Sequence, residues 1–532
     1  MRLNFLFWIV LLCPVLGLNA QLTETKPTVR PMSLDDCIRM ALERNLSVQI
    51  GDRVALGETA DLDVTSRGWI GLEEARLTLA ARYSYYDPGF SVSFGQNYNN
   101  QAGSIDPNTG LPRPSRETWT ENFRAGINQG GGLTGKLPTG ADYQFGVGMN
   151  RLSGGRHRVV GLTNVVFADD PFQYSSDFSI TVTQPLLRDF WTDVGRTSIK
   201  LARNTIKRSE WAYRLLIMDI VQRVAVAYYD FLAARDQIKV QEKALELAEQ
   251  LVAENKKKVA VGTMAPLDER QAESQAATAK SALTTAIFNA QQTENLLKAL
   301  VTHDFQDIQP VSIEPSEKLV AVFQSLSLAE SWRTGLEQRP DYLLAKQDLE
   351  NRQISLEFRR NQLYPSLDLS ATYGRNGLGV TTSDSLETID NNRYPRYGGS
   401  IILSFPLTFR AERSAYKIAK LEKQAAILSL KRVEDSILQE IDIAVKEVSS
   451  RYQATQSTHQ ARIFAEEALD AEQKKLENGK STSFQVLQFQ RDLTTAASAE
   501  IKAIADYNKA LHQFYFKEGT TLDRNKITVE LK

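Results

Sequence analysis

Apolar residues recur at helical spacing through two long stretches of the chain. Ala244, Leu245, Leu247, Ala248, Leu251 and Val252 make a stripe at i, i+3, i+4 and i+7. Lys, Glu and Gln load the opposite face, the composition of a solvated surface. The run from about Arg196 to Ala260 holds no proline and predicts a helix of roughly 100 Å at 1.5 Å per residue. The run from about Glu412 to Glu477 predicts a second of similar length. Such lengths point to a coiled coil or a helical tube. Four other segments alternate at period two and predict strands near 89–97, 177–185, 366–374 and 397–406. A hairpin is expected near 121–149; its role is open between an elaboration of a surface loop, the favoured reading, and additional barrel strands.

The chain is duplicated. At an offset of 217 (479 − 262), Gly262 meets Gly479, Lys257-Lys258 meets Lys474-Lys475, and Gln271 meets Gln488. Each glycine interrupts a long helical stretch, so each is read as the turn of a helical hairpin. The halves also begin alike, "SLDDCIRMALERN" from Ser33 and "SLAESWRTGLEQR" from Ser327. Ser33 starts a capping pattern. A leader, 1–20, precedes a first repeat, 21–310, with its helical hairpin over 196–302 and tip near 262. The second repeat spans 311–532, with a hairpin over 412–517 and tip near 479.

Composition narrows the function classes. Arg2, the apolar run Phe5 to Gly17 and "LNA-Q" read as a secretory signal cleaved after Ala20. That apolar run is shorter than the roughly twenty residues of a membrane-spanning helix. A net charge of −1 gives no case for nucleic acid. Cys13 sits in the leader and Cys37 stands alone, so no disulfide framework is expected. His157, His303, His459 and His512 lack ligand spacing. No nucleophile, metal cluster or phosphate loop is evident, so no catalytic site and no cofactor are expected. Nothing beyond the leader is apolar for long enough to span a membrane as a helix, so any membrane domain must be a barrel. Four strands cannot close one, since the smallest membrane barrels have eight, but several copies can close one together. A periplasmic adaptor or structural coiled-coil protein is the alternative; it explains the helices but not four patterned strands in duplicate.

The carriers of a family resemblance are the helix start at Ser33, "QPLLRDF" after the second strand, "YPSLDLSATYG" from Tyr364, "FPLTFR" after the fourth strand, the two glycine tips, and "YNKALHQFYFKEGTTL" from Tyr507. Together they resemble the TolC-like outer-membrane efflux protein family over nearly the whole mature chain. The resemblance implies a membrane β-barrel plus an all-α tunnel: a homotrimer sharing a twelve-stranded barrel in outer-membrane lipid and a long α-helical periplasmic cylinder. It implies the outer membrane of a Gram-negative-type bacterium as the location. The implied function is passive conduction in a tripartite efflux or type I secretion system. The implied partners are a periplasmic adaptor (membrane fusion) protein and an inner-membrane pump of RND, ABC or MFS type.

The candidate site is the pair of tips, Gly262 and Gly479. Asp268 stands at the family's acidic position after the first glycine. It reads equally as an acid lining an aperture and attracting cations, or as an acid favoured by the helix dipole. Gln485 and Gln488 stand where the second tip often carries acids, which weakens an acidic ring. The family's latch uses an aromatic and a basic residue near the second glycine; Leu476 and Ser481 occupy those places, so that latch is not carried over. Lys256, Lys257 and Lys258 are candidate adaptor contacts, or charges complementing the helix C-terminus. Trp119 and Trp191 suit a membrane interface, whereas Trp211 reads as helix packing.

Overall fold

A computed structural model describes residues 28–50, 68–102, 105, 108, 116–125, 131–160, 164–302 and 305–528. The leader, 1–20, lies outside the described residues. Strands are β1 (Thr28–Met32), β2 (Gly89–Gln101), β3 (Arg116–Ala125), β4 (Gly131–Lys136), β5 (Asp142–Val160), β6 (Asn164–Pro185), β7 (Val311–Pro315), β8 (Ser366–Gly379) and β9 (Pro395–Ser404). Helices in the first half are α1 (Leu34–Arg44), α2 (Leu46–Ile50), α3 (Trp69–Tyr83), α4 (Val194–Ala260), α5 (Pro266–Val301) and α6 (Phe305–Ile308). In the second half they are α7 (Leu328–Gln338), α8 (Pro340–Asn361), α9 (Thr382–Asp390), α10 (Arg410–Glu477), α11 (Ser483–Glu518) and α12 (Thr521–Arg524). The chain forms two compact units, one of Met1–Asn45, Arg223–Ala321 and Thr455–Ala505, the other of Leu46–Gln222, Val322–Ala454 and Asp506–Lys532.

The repeat is visible in helix ends. α5 and α11 are both 36 residues long. α4 has 67 residues and α10 has 68. Their boundaries at the tips, Ala260 with Pro266 and Glu477 with Ser483, keep the sequence offset. Ser33 caps α1: its side chain accepts from the Asp36 N–H at 3.2 Å, while its own N–H donates to the Asp36 carboxylate at 3.2 Å. This satisfies two donors that a helix start leaves open. The apolar face so presented buries Leu34, Cys37, Ile38 and Ala41. Burial pushes the Cys37 thiol up to about 12, which keeps it protonated and inert. Beside α1, β1 pairs in parallel with β7, Thr28 to Val311 through Met32 to Pro315.

In the other unit, α7 lies against α10 with almost no clearance. A Cβ at Gly335 would sit 2.5 Å from Ile441 Cδ1. Arg339 follows at the helix junction and is nearly buried. Its guanidinium donates to Asp341 at 2.5 Å, to Glu440 at 3.1 Å and to the Lys517 carbonyl at 3.2 Å. Lys517 Nζ completes the group, 3.0 Å from Glu440. Burial alone would raise the Glu440 pKa; the Lys517 hydrogen bond and the two cations outweigh it and hold the carboxyl below its ordinary value.

The main sheet belongs to the same unit as Arg339. β2 pairs with β3 through Val92–Gln101 and with β4 through Gly89–Val92. β3 and β4 both pair with β5 as well. They therefore lie end to end in one row between β2 and β5. β5 then pairs with β6, β6 with β8, and β8 with β9, all antiparallel. The sheet has six rows, with β2 and β9 at its two edges. The segment near 121–149, favoured from the sequence as a surface elaboration, is instead built into the ladder between β2 and β6.

Registry sorts the side chains into two faces. Phe90, Leu133, Phe145, Ile180, Tyr373 and Tyr397 stand in one cross-strand line. The next line on that face is Val92, Ala125, Val147 and Phe178, and the next is Phe94, Phe123 and Met149. The opposite face carries Thr134, Gln144, Thr181 and Thr372 in register. There Thr181 and Thr372 hydroxyls meet at 3.1 Å, Thr183 donates to Ser370 at 3.2 Å, and Lys136 pairs with Asp142 at 2.6 Å. The sheet is thus mainly apolar on one side, where Arg375 stands in line with Phe178 and Ser176 in line with Met149, and hydrogen-bonded polar on the other. Among the described residues no helix is long and apolar enough to cross a membrane. Trp119 packs on Tyr98 with ring centroids 4.4 Å apart, and Trp191, half exposed, carries the Arg196 guanidinium over its ring at 4.7 Å.

Candidate functional site at the helical tips

Both tip turns use the same hydrogen bonds. In the first, the Gly262 N–H donates to the Val259 carbonyl at 2.9 Å and the Thr263 N–H to the Lys258 carbonyl at 2.9 Å. In the second, the Gly479 N–H donates to Leu476 at 3.1 Å and the Lys480 N–H to Lys475 at 2.8 Å. Each glycine is left-handed, with φ of +78° at Gly262 and +67° at Gly479. A Cβ at either would meet nothing within 4 Å. Backbone conformation, not lack of space, therefore selects glycine here. The return helix α5 starts with Pro266 at its first turn, where a missing N–H costs nothing.

Beneath the turns, Leu251, Leu469, Leu476, Val486 and Leu487 form a buried cluster, with Leu247, Phe489 and Leu493 packed against it. Asn255 is fully buried beside Ser483, which is 1% exposed. The Asn255 amide donates to the Asp268 carbonyl at 3.2 Å, and the Ser483 hydroxyl donates to Asn255 Oδ1 at 2.9 Å. One side chain of α4 thus holds the start of α5 and the start of α11. The Arg491 guanidinium adds a second link, reaching Gln275 of α5 at 2.6 Å. The repeat mate of Asn255 is Glu472 (255 + 217), also buried. It accepts from the Ser481 hydroxyl and pairs with Lys475 at 2.9 Å. The Ser481 hydrogen bond, helped by Lys475, holds the Glu472 carboxyl below its ordinary value.

That shift has a direction in pH. A depressed folded pKa contributes stability that is full above the unfolded value, near 4.5, and lost as pH falls through the folded value. Amide exchange at the second tip should therefore become faster, relative to intrinsic rates, when the pH is lowered from 7 to 3. Glu472→Gln should remove most of that dependence.

The residues singled out in the sequence fall on this frame as follows. Asp268 is half buried in the first turn of α5, and its carbonyl is the one gripped by Asn255. Gln485 is exposed and accepts from Ser481 at 3.0 Å. Gln488 is exposed and donates to Asp492 at 3.3 Å. Lys256 and Lys257 are exposed, while Lys258 is half buried and supplies a turn carbonyl. Leu476 is spent on the tip cluster and Ser481 on Glu472. Asn255, Glu472 and Ser483 escape a motif search. The one signal for Asn255 and Glu472 is a polar residue, at the same offset in both copies, inside an otherwise apolar stripe; Ser483 aligns with Pro266 and has none.

A two-faced sheet joined in one chain to duplicated long-helix hairpins defines the class, a channel-type fold with a helical tunnel and a β-domain. The outer-membrane channel OprN shares the fold, with a TM-score of 0.61 and 16% identity over 94% of this chain and 95% of that one. So does the Campylobacter jejuni CmeC outer membrane channel, with a TM-score of 0.59 and 16% identity over 98% of this chain and 94% of that one. The pyoverdine export outer membrane protein OpmQ of Pseudomonas aeruginosa is 25% identical over 318 residues, spanning 59% of this chain and 64% of that protein. The sequence pattern of the outer membrane efflux protein family matches residues 150–303 and 333–518, more than half of the chain. The chain belongs to that family. Its place is the outer membrane, with a periplasmic extension, and the family's work is transport.

Proposed function

We propose that the chain is the outer-membrane channel of a tripartite efflux or type I secretion system. Three copies close one barrel and one helical tunnel, and cargo passes without any chemistry on this chain. The carrying observation is the sheet: one face mainly apolar, the other polar, and an unpaired edge at each end, β2 and β9. Lipid hydrocarbon cannot satisfy open edge N–H and C=O groups, so such a sheet enters a membrane only when closed. Neighbouring copies close it by pairing β9 with β2. Exposed Ile418, Leu421 and Leu428 on α10 supply apolar surface for the same copy-to-copy contact.

The tips are the gate. Asp268, Gln485 and Gln488 line the aperture, and Lys256, Lys257 and Lys258 face a periplasmic adaptor, which connects to an inner-membrane pump. The OpmQ relative exports pyoverdine; here the pump chooses the cargo. Purified protein in detergent should run as a trimer by native mass spectrometry and form channels in planar bilayers. A monomer extracted without detergent would sink the reading.

A further inference from the structure

The segment between β2 and β6 is larger than a loop, and its two rows carry the same chemistry as the rows on either side. β3 and β4 place Trp119, Phe123 and Leu133 on the apolar face, and β5 places Phe145, Val147 and Met149 there. All but Met149, which faces Ser176, stand in register with an apolar or aromatic residue of β2 or β6, such as Phe90, Phe94, Phe178 and Ile180. Phe123, Leu133 and Phe145 are 37–41% exposed. The opposite face of the same rows holds Asn122, Arg124, Thr134 and Gln144, continuous with the polar face of β6 and β8. A water-exposed elaboration has no reason to keep this alternation in phase with the wall.

On β2, β3 and β5 the apolar band also ends at one height. Beyond Phe94, Phe123 and Met149 the same face turns to Gln96, Glu121 and Arg151, joined by a Glu121–Arg151 ion pair at 3.0 Å. The next line is the Tyr98–Trp119 pair. Aromatic residues belt membrane barrels at their interfaces, so this pair marks where the strands leave hydrocarbon for the headgroup region. Along β8 the same face carries Leu367, Leu369, Ala371 and Tyr373 before it reaches Arg375.

We infer that the inserted β3/β4 row and β5 are lipid-facing wall strands of the barrel. This rests on the trimeric channel reading above. Each copy then contributes six rows, and three copies close eighteen strands (6 × 3) rather than twelve. Diameter grows roughly linearly with strand number, so the pore is about half again as wide as a twelve-stranded one. The count is even and within the range of bacterial barrels. The kind of partner that the hairpin fits is the hydrocarbon of the bilayer.

Nitroxide labels test this in the full chain, in a C13A/C37A background reconstituted into phosphatidylcholine vesicles. Sites are F123C and V147C on the hairpin's apolar face, N122C and Q144C on its polar face, I180C on β6, and F288C on the exposed surface of α5. Expected is a loss of relaxation by a water-soluble nickel complex, with oxygen relaxation retained, at 123 and 147 as at 180. Sites 122, 144 and 288 should stay open to nickel. Either hairpin site alone decides if the other variant fails to fold. Nickel access at 123 or 147, with 180 protected, overturns the inference and leaves the channel reading standing. Nickel access at 180 overturns both. A copy number other than three in the same detergent overturns the count of eighteen.

Discussion

Replacing Gly262 and Gly479 together by proline unravels both tips and abolishes export. Proline holds φ near −65°, whereas the two turns need +78° and +67°. Each substitution also deletes an N–H that now donates, to Val259 at 2.9 Å or to Leu476 at 3.1 Å. The cost is about 3 kcal/mol or more at each turn. The last turn of α4 and of α10 then gives way, and the cluster of Leu251, Leu469, Leu476, Val486 and Leu487 loses its frame. Amide exchange over 251–270 and 469–490 should accelerate by more than about a hundredfold. Amides of the sheet, which lies in the other compact unit, should keep their protection. Unchanged exchange at both tips, with normal export, would mean that these turns are not the working end of the protein.

Arg339→Met gives the second large effect, on stability. The guanidinium is nearly buried and serves Asp341, Glu440 and the Lys517 carbonyl. Methionine matches much of its volume but leaves a carbonyl and two carboxylates without that donor. Breaking a buried pair on one side costs about 3–5 kcal/mol; the lower figure applies here, because the carboxylates stay partly hydrated. Lys517 still neutralises Glu440 at 3.0 Å, which also limits the loss. Urea unfolding of the detergent-solubilised protein, followed by tryptophan fluorescence at Trp332, reads the change. The Trp332 indole donates to the Leu438 carbonyl at 3.0 Å, so it reports on this packing. A shift below about 1 kcal/mol would place the group among ordinary surface ion pairs.

Much of this molecule is legible in the chain because its hairpins diverged without insertions. α5 and α11 start and stop at one offset, so Gly262 and Gly479 align, and their left-handed turns follow from the residue type. Capping at Ser33 is equally local, needing only Asp36 three residues on. Long-range pairing is not readable in this way. The β1–β7 ladder joins five-residue strands from the starts of the two repeats, with no periodicity long enough to announce it. Alternation shows which residues of β3 and β5 share a face, but not that β5 pairs with β6. That is why the hairpin looked peripheral. α9, capped by Thr381 over Asp384, falls between two expected strands and was not among the expected elements. At the tips, glycine and acid patterns led to Asp268, while the residue that grips its backbone, Asn255, carries no motif.

Asn255 gives the most direct test of the central claim, that the chain is a passive conduit held closed where its two hairpins are clasped. Asn255→Ala removes the bonds to Asp268 and Ser483 and leaves the buried Ser483 hydroxyl only the Met264 sulfur, at 3.7 Å, at a cost of about 1–3 kcal/mol. The measurement is single-channel conductance in planar bilayers, with copy number checked in the same preparation. The account predicts a low conductance for the natural chain and a several-fold higher one for Asn255→Ala, with copy number unchanged. Equal conductance in the two proteins, or a natural chain that conducts as freely as an open barrel, would contradict it.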